Sequence, residues 1–239
     1  MIKKTCKSWT QGLAVLCLFL IGTSAHAAPI TELGLGIDGS GSIDSDDFDL
    51  QIDAYRNVLT DSSIVPQDGS IAIGIWMFSS SVSSLYSTTV IDSSTSSVSD
   101  LDDALVDVDQ PEGQTDIAGA ISTAADDLLT NGIDSSRQII DISTDGDQTV
   151  SGNPDNAAST AVNDGIEQVN CLGIGTGADC GFTEGAGSFD LTASDFDDFE
   201  GSLEGKIVRE TQVPAPATLA LFGLGLLTMG AVSARRRDS

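Results

Sequence analysis

Short apolar runs alternate with helical patterns along most of this chain, and that alternation constrains the fold more than any other feature. The run at 71–78 is nearly uninterrupted, which is typical of a strand buried on both faces of a sheet, and shorter runs lie at 33–37 and within 137–143. Between the runs, apolar residues recur every three or four positions, the spacing of an amphipathic helix. We therefore predict an α/β fold: a Rossmann-like, open and mostly parallel sheet flanked by helices on both faces.

The same patterns place the individual strands and helices. We expect strands at 33–37, 71–78, 85–91 (an edge strand), 137–143 and 170–175, and a short one at 189–191. We expect helices around 48–59 and 117–128, from 155 to about 169, and around 196–207. The stretch 79–99 is rich in Ser and Thr, which indicates a solvated surface excursion rather than a separate domain.

Acidic residues are concentrated in the middle of the chain, between two basic ends. Residues 28–212 contain 35 of the 36 acidic residues but only four of the 10 basic ones, a net charge of −31. Because such a domain repels phosphate backbones, its charge argues against nucleic-acid binding through a basic face. We expect most of these acids to keep the surface soluble, and only Asp38 and Asp145 to take part in chemistry.

The first 27 residues have the pattern of a secretory signal peptide. Three lysines precede the apolar run 13–22, which is too short for a membrane span. Ala25-His26-Ala27 then offers the small residues that a signal peptidase recognises. We predict cleavage after Ala27 and export of the remaining chain.

The C-terminal segment 213–239 has the pattern of a membrane anchor. It contains no charged residue from 213 to 234, and three arginines follow at 235–237. A transmembrane helix over about 217–234 is just long enough to cross the hydrocarbon core, and the arginines favour the cytoplasmic side. A buried C-terminal helix is the alternative, although burial would not require an arginine cluster. The predicted domain therefore spans 28–212.

The anchor segment also resembles the PEP-CTERM sorting signal of bacterial proteins. The resemblance is carried by Val-Pro-Ala-Pro-Ala-Thr-Leu at 213–219, followed by a glycine-laced apolar helix and the arginines. It implies processing of the tail by a membrane-embedded exosortase. Ala215 occupies the position where the family usually carries Glu; anchoring does not depend on that residue, whereas cleavage can. Two localisations therefore stay open: an inner-membrane anchor with the domain facing the periplasm, or the cell surface or extracellular space after processing.

Two cysteines, Cys171 and Cys180, remain once the signal peptide has been removed. Exported proteins fold in an oxidising compartment, where cysteines nine positions apart are able to pair. We predict a disulfide that closes a surface loop. Two free thiols are the alternative.

Oxygen-bearing side chains follow two of the predicted strands and precede one helix. Asp38, Ser40 and Ser42 lie in an Asp-Gly-Ser-Gly-Ser loop after the first strand, Asp145 follows the 137–143 strand, and Thr115 begins a helix. Each segment alone reads as an ordinary turn or helix cap. Ligands of open α/β sheets bind outside the carboxyl ends of the strands, and hard divalent cations prefer oxygen. The joint placement of these residues predicts a divalent-metal site.

These segments resemble the metal-ion-dependent adhesion site (MIDAS) of von Willebrand factor A (vWA) domains. The Asp-x-Ser-x-Ser element, a Gly-x-Thr element ending at Thr115 and a Thr-Asp-Gly element containing Asp145 occur in the family's order. The resemblance implies direct ligation by Ser40, Ser42 and Thr115, and contacts mostly through water for Asp38 and Asp145. It implies Mg²⁺ as the ion, or else Mn²⁺ or Ca²⁺. It also implies a protein partner whose carboxylate completes the coordination.

Enzymatic functions fit the sequence less well than binding. The only histidine, His26, leaves with the signal peptide, which excludes a Ser-His-Asp triad and most zinc hydrolase sites. A Mg²⁺-dependent phosphoryl-transfer enzyme using Asp38 and Asp145 is a further alternative, but the site segments offer no positive group for a phosphate. We therefore expect an exported, adhesion-type binding module and not an enzyme. The main alternative is a structural surface or matrix protein without metal-dependent binding.

Overall fold

Seven strands and five helices alternate along residues 31–211, the part of the chain that a computed structural model describes. The strands are β1 (Thr31–Asp38), β2 (Asp68–Phe78), β3 (Val82–Asp92), β4 (Arg137–Thr144), β5 (Gln168–Ile174), β6 (Glu184–Gly185) and β7 (Asp190–Ala193). The helices are α1 (Ser45–Thr60), α2 (Ser97–Ala104), α3 (Ile117–Thr130), α4 (Pro154–Asp164) and α5 (Phe199–Thr211).

The strands form one mixed sheet in the order β3-β2-β1-β4-β5-β6, and β7 also pairs with β5. β1 lies between β2 and β4 and is parallel to both, and β5 and β7 continue in the same direction. β3 and β6, at opposite ends of this order, are antiparallel to their neighbours. The predicted α/β fold with a mostly parallel sheet is confirmed. We call the edge at which β1, β2, β4 and β5 end the carboxyl edge.

Helices cover both faces of the sheet, as predicted. α1, α2 and α5 pack on one face, and α3 and α4 pack on the other. On the second face β1 presents Gly34 and Gly36, and a Cβ on Gly36 would lie 2.6 Å from Ile142 Cδ1. Because neither glycine has a side chain, α3 packs close to the central strand. The residues just before α3 are therefore held near the end of β1.

The helix expected from 155 to about 169 is shorter than predicted. α4 ends at Asp164, and Gly165 caps it with a φ of 132°, a backbone angle that favours glycine. The chain is then extended, and β5 begins at Gln168. The sequence pattern missed this end because the apolar residues after Gly165 continue the helical spacing.

Two other boundaries also differ from the prediction. α5 begins at Phe199 and not near Phe196, although the rings of these two residues still pack together with centroids 6.3 Å apart. The Ser/Thr-rich stretch 79–99 contains all of β3, which is longer than the edge strand predicted at 85–91. It also contains the start of α2, a helix that was not predicted. α2 buries little besides Leu101, so its apolar pattern is too weak to recognise.

A buried cluster of charged side chains fixes α5 to the sheet. Lys206 Nζ lies 2.6 Å from Asp141 Oδ1 of β4 and 2.8 Å from Glu210 Oε1, and all three side chains are buried. Asn170 of β5 donates a hydrogen bond of 2.8 Å to the same Glu210 oxygen. Burial, and then the charge of Asp141, raise the pKa of Glu210 to about 7. The amphipathic pattern of α5 gave no sign of this cluster.

Within residues 31–211, no helix is both long and apolar enough to span a membrane. The predicted transmembrane helix at about 217–234 lies outside the described residues. The predicted signal peptide at 1–27 and the basic tail 235–237 lie outside them as well.

Candidate metal centre

The structure brings four of the five predicted metal ligands into hydrogen-bonded contact at the carboxyl edge. Asp38 ends β1, Ser40 and Ser42 lie in the loop that follows, and Asp145 comes directly after β4. The Ser42 hydroxyl donates to Asp145 Oδ1 over 2.6 Å, and the Ser40 and Ser42 hydroxyl oxygens are 3.1 Å apart. These residues lie more than a hundred positions apart in the sequence, and they meet because β1 and β4 are neighbouring parallel strands.

Asp38 is buried beneath these hydroxyl groups and is held by two hydrogen bonds. Its Oδ1 accepts from the Ser40 backbone N–H over 2.8 Å, and its Oδ2 accepts from the Thr144 hydroxyl over 2.6 Å. Burial nevertheless disfavours the charged form and raises the pKa of Asp38 to about 6. A cation beside this carboxylate would compensate for the lost hydration, so the environment of Asp38 suits a bound metal ion.

Thr115, the fifth predicted ligand, is buried just before α3 and is held by its backbone. Its N–H donates to the Thr149 hydroxyl over 2.7 Å, and its carbonyl accepts from the Thr149 N–H over 3.0 Å. The Gly41 N–H donates to the Gly113 carbonyl over 3.0 Å, which joins the Thr115 loop to the Ser40–Ser42 loop. All three loops that carry predicted ligands are therefore linked.

Ser80 supports the Thr115 loop from the end of β2. Its hydroxyl accepts from the Gln114 N–H over 2.9 Å. Gly113 has a φ of 95°, and a Cβ at this position would lie 2.6 Å from the Ser80 Oγ. Only glycine fits this conformation without strain. Neither Ser80 nor Thr149 was predicted from the sequence, because both reach the Thr115 loop only through the tertiary fold.

The donor set at this edge consists of hydroxyl and carboxylate oxygens. Such donors suit Mg²⁺, Mn²⁺ or Ca²⁺ better than the softer metals that thiol and imidazole ligands select. Residues 31–211 contain no group of three or more His, Cys, Asp and Glu side chains that could hold a metal ion. A metal ion at this edge would therefore depend on the hydroxyl groups as well as on the two carboxylates.

The predicted disulfide is present and lies beside the site. Cys171 of β5 is bonded to Cys180, with Cα atoms 5.6 Å apart. The segment between them contacts the Asp145 loop: the Asp179 N–H donates to the Gly146 carbonyl over 3.4 Å. A Cβ on Gly177 would lie only 2.9 Å from the Asp145 carbonyl oxygen. The disulfide-closed segment thus supports one side of the candidate metal centre.

Two family models match the chain. The model described as "Protein of unknown function (DUF1194)" matches residues 30–215. The model of the PEP-CTERM protein-sorting motif matches residues 212–237, which confirms the resemblance seen in the sequence. No curated protein matches the chain significantly.

Solved structures of vWA-type proteins are similar in fold. Proximal thread matrix protein 1 from the mussel byssus, with a zinc-occupied MIDAS motif, is 18% identical and has a TM-score of 0.61 over 76% of this chain and 46% of its own. BatB from Bacteroides thetaiotaomicron is 16% identical, with a TM-score of 0.57 over 77% of this chain and 100% of its own. The pilus adhesin SpaC from Lactobacillus rhamnosus GG, in its open conformation, is 16% identical, with a TM-score of 0.60 over 77% of this chain and 30% of its own.

The chain spans about half the length of the mussel protein and less than a third of the pilus adhesin. Sequence identities this low establish the fold alone. They confirm the vWA-like fold that the sequence motifs implied.

Proposed function

Because the chain belongs to the DUF1194 family and carries a PEP-CTERM sorting motif, we propose that it is an exported bacterial surface protein that binds a protein partner through a divalent metal ion. The observation that carries the proposal is the convergence of Asp38, Ser40, Ser42 and Asp145 at one edge of the sheet. A hydrogen bond from the Gly41 N–H to the Gly113 carbonyl joins the Thr115 loop to the loop that carries the two serines. The zinc-occupied MIDAS of the mussel protein supports a divalent-metal site in a protein of this fold.

In this proposal, Ser40, Ser42 and Thr115 hold the ion directly, and Asp38 and Asp145 balance its charge, mostly through water. Neutral hydroxyl ligands leave more of the ion's charge available than carboxylate ligands do. The ion, when bound, would act as a Lewis acid and accept a carboxylate oxygen of the partner as a ligand. Mg²⁺ is our first choice, with Mn²⁺ or Ca²⁺ as alternatives.

We place the signal peptide at 1–27, the vWA-like domain at 28–212 and the sorting segment at 213–239. The protein is then anchored in the inner membrane facing the periplasm, or it reaches the cell surface or medium once an exosortase has processed the tail. The PEP-CTERM match supports this route, and the exosortase is the implied processing partner.

A structural role without metal-dependent binding is the second candidate. It is favoured by the similarity in fold to a thread matrix protein. A phosphoryl-transfer enzyme is less well supported, because the segments that carry Asp38 and Asp145 contain no cationic side chain to bind a phosphate. We therefore propose a binding protein and not an enzyme.

Metal binding is tested by titrating Mg²⁺ and Mn²⁺ into residues 28–212 by calorimetry and by measuring the melting temperature with and without chelator. We expect one bound ion and a higher melting temperature, since an ion that binds only the folded state stabilises it. Thr115→Ala should abolish both effects and leave the melting temperature in chelator nearly unchanged. Ser87→Ala, which removes an exposed hydroxyl on β3, is the matched control. A wild-type domain that neither binds these ions nor gains stability from them would favour the structural role.

A further inference from the structure

The four cationic side chains of residues 31–211 are all engaged within the domain. Their contacts are Arg56 with Asp102, Arg137 with Glu167, Lys206 with Asp141 and Glu210, and Arg209 with the ring of Phe189. Lys206 is completely buried, and the Arg209 guanidinium lies 3.5 Å from the centre of the Phe189 ring. The domain therefore offers a partner hardly any positive charge.

These cations also lie far from the candidate metal centre. Arg137 is the first residue of β4, whereas Asp145 follows the end of that strand. Arg56 lies near the end of α1, a helix that starts at the carboxyl edge and runs away from it. Arg209 lies near the end of α5, whose last turn is placed at the opposite edge by a 3.3 Å hydrogen bond from Arg137 Nη1 to the Glu210 carbonyl. No cation of the described domain lies at the carboxyl edge.

Carboxylates, by contrast, surround the candidate metal centre. Exposed acids lie in or beside each of its loops, namely Asp44, Asp46, Asp109, Glu112, Asp147 and Asp179. Partial desolvation, and then the charges of Asp44 and Asp197, raise the pKa of Asp47 in the first turn of α1. In the first turn of α1, neighbouring carboxylates are therefore close enough for their charges to disfavour the ionised form of Asp47.

We propose that the partner presents its metal-binding carboxylate on a basic protein segment, with lysine or arginine beside the acid. This inference rests on the proposed function and names the chemistry of its partner. A divalent ion offsets the charges of Asp38 and Asp145 but leaves most of the domain's −31 uncompensated. A carboxylate on an acidic carrier is repelled before it reaches the ion, whereas flanking cations draw it in. The same repulsion disfavours an anionic polysaccharide, which also carries carboxylates.

Synthetic peptides that differ only in their flanking charges test this inference. The probes are Gly-Lys-Lys-Asp-Lys-Lys-Gly, its analogues with Ser or Glu in place of Lys, and a Lys peptide with Asn at the centre. In Mg²⁺ at roughly 0.1 M salt, we expect the Lys peptide to bind residues 28–212 at least about tenfold more tightly than the Ser peptide. Chelator or the central Asn should abolish tight binding of the Lys peptide and leave only the weak attraction of any basic peptide, which separates metal-dependent binding from simple charge attraction.

Charge variants of the domain show whether the acids near the site are responsible. Glu112→Gln with Asp147→Asn removes two exposed charges beside the metal loops. Asp134→Asn with Asp164→Asn removes two exposed charges near the opposite edge and is the matched control. We expect the first pair to slow association of the Lys peptide roughly threefold and the second pair to slow it much less, since salt screens distant charges.

The outcomes separate this inference from the proposed function. The inference is overturned if the Ser peptide, the Glu peptide or polygalacturonate binds in Mg²⁺ as tightly as the Lys peptide. It is also overturned if the domain binds Mg²⁺ but no peptide binds in a metal-dependent way. That result would still support the metal centre itself. If the domain does not bind Mg²⁺ at all, the proposed function fails and this inference fails with it.

Discussion

At the residue scale, Thr149 holds together two loops of the proposed metal centre. It follows β4 in the sequence, yet it makes hydrogen bonds of 2.7 and 3.0 Å to the backbone of Thr115. The Gln114 side-chain amide also donates to the Thr149 carbonyl over 3.2 Å. Thr149 therefore orders the Thr115 loop before any metal ion arrives.

Removing the Thr149 hydroxyl should weaken metal binding as well as folding. Thr149→Val keeps the shape of the side chain but deletes the acceptor of the Thr115 N–H, and we expect about tenfold weaker Mg²⁺ affinity by calorimetry. The loss of stability in chelator should be about 1–2 kcal/mol by urea unfolding. Thr149→Ser retains the hydroxyl and should restore the affinity. A Val variant that binds Mg²⁺ like the wild type would show that Thr115 needs no such support.

The residues of the candidate metal centre differ in how readily they could be predicted from the sequence. Asp38, Ser40 and Ser42 were found because one short loop carries all three, and Asp145 because it follows an apolar run. Thr149 is 34 positions from Thr115, and no local pattern joins the two residues. Such supporting contacts become visible only when the strands that carry the loops are placed side by side.

At the scale of elements, helix α5 depends on a buried cluster in which two carboxylates share one ammonium group. Lys206 contacts both Asp141 and Glu210, and its ammonium also lies 4.8 Å from the centre of the Phe189 ring. One buried negative charge is left over unless a carboxylate takes up a proton. Burial, and then this excess of negative charge, raise the pKa of Glu210 to about 7.

The cluster makes the stability of the domain depend on pH. The pKa of Glu210 is raised from 4.5 in the unfolded chain to about 7, so its stabilising contribution is complete below pH 4.5 and is lost as pH rises through 7. In Glu210→Gln, the amide oxygen of glutamine still accepts hydrogen bonds, but the side chain does not ionise. Relative to the wild type, we expect the variant to gain on the order of 1–3 kcal/mol between pH 5 and pH 8.

Urea unfolding at several pH values measures this difference. Glu204→Gln, an exposed acid on the same helix, is the control and should follow the wild type at every pH. A constant difference between Glu210→Gln and the wild type from pH 5 to 8 would contradict the assigned role of Glu210.

The disulfide between Cys171 and Cys180 also acts at the scale of elements, because it stabilises the segment beside Asp145. Closing a loop of this length stabilises a domain by about 2–3 kcal/mol. We expect the double variant Cys171→Ala and Cys180→Ala to lose about that much stability, and also to bind Mg²⁺ more weakly. Calorimetry at a temperature where both proteins are folded separates the two effects. Unchanged Mg²⁺ affinity would show that the segment does not support the Asp145 loop.

Strands were easier to predict than helix ends, for physical reasons. β1 and β2 are largely buried on both faces, and their nearly continuous apolar runs are rare elsewhere. The end of α4 depends on the single backbone angle of Gly165, and α2 is held largely by Leu101. Asp141 lies between Ile140 and Ile142 in β4, where nothing local reveals that Lys206 will neutralise it.

On the scale of the whole molecule, both ends of the described domain lie at the edge opposite the proposed metal centre. Thr31 begins β1 at that edge, paired in register with Arg137. The hydrogen bond from Arg137 to the Glu210 carbonyl places the end of α5 there too. The sorting motif begins at residue 212, directly after α5. The chain therefore leaves the domain on the side that is turned away from the metal loops.

This arrangement predicts that anchoring leaves the metal centre accessible. Residues 28–239 held in phosphatidylcholine nanodiscs should bind the Lys-flanked peptide in Mg²⁺ within about twofold of the affinity of residues 28–212, since binding surfaces far from an attachment point change little. Uncharged lipid is chosen so that the basic peptide does not bind the bilayer itself. Thr115→Ala in the anchored chain should lose the metal-dependent part of the binding. If the anchored chain fails to bind a peptide that the free domain binds, the membrane must cover the carboxyl edge, and the attachment cannot lie opposite to it.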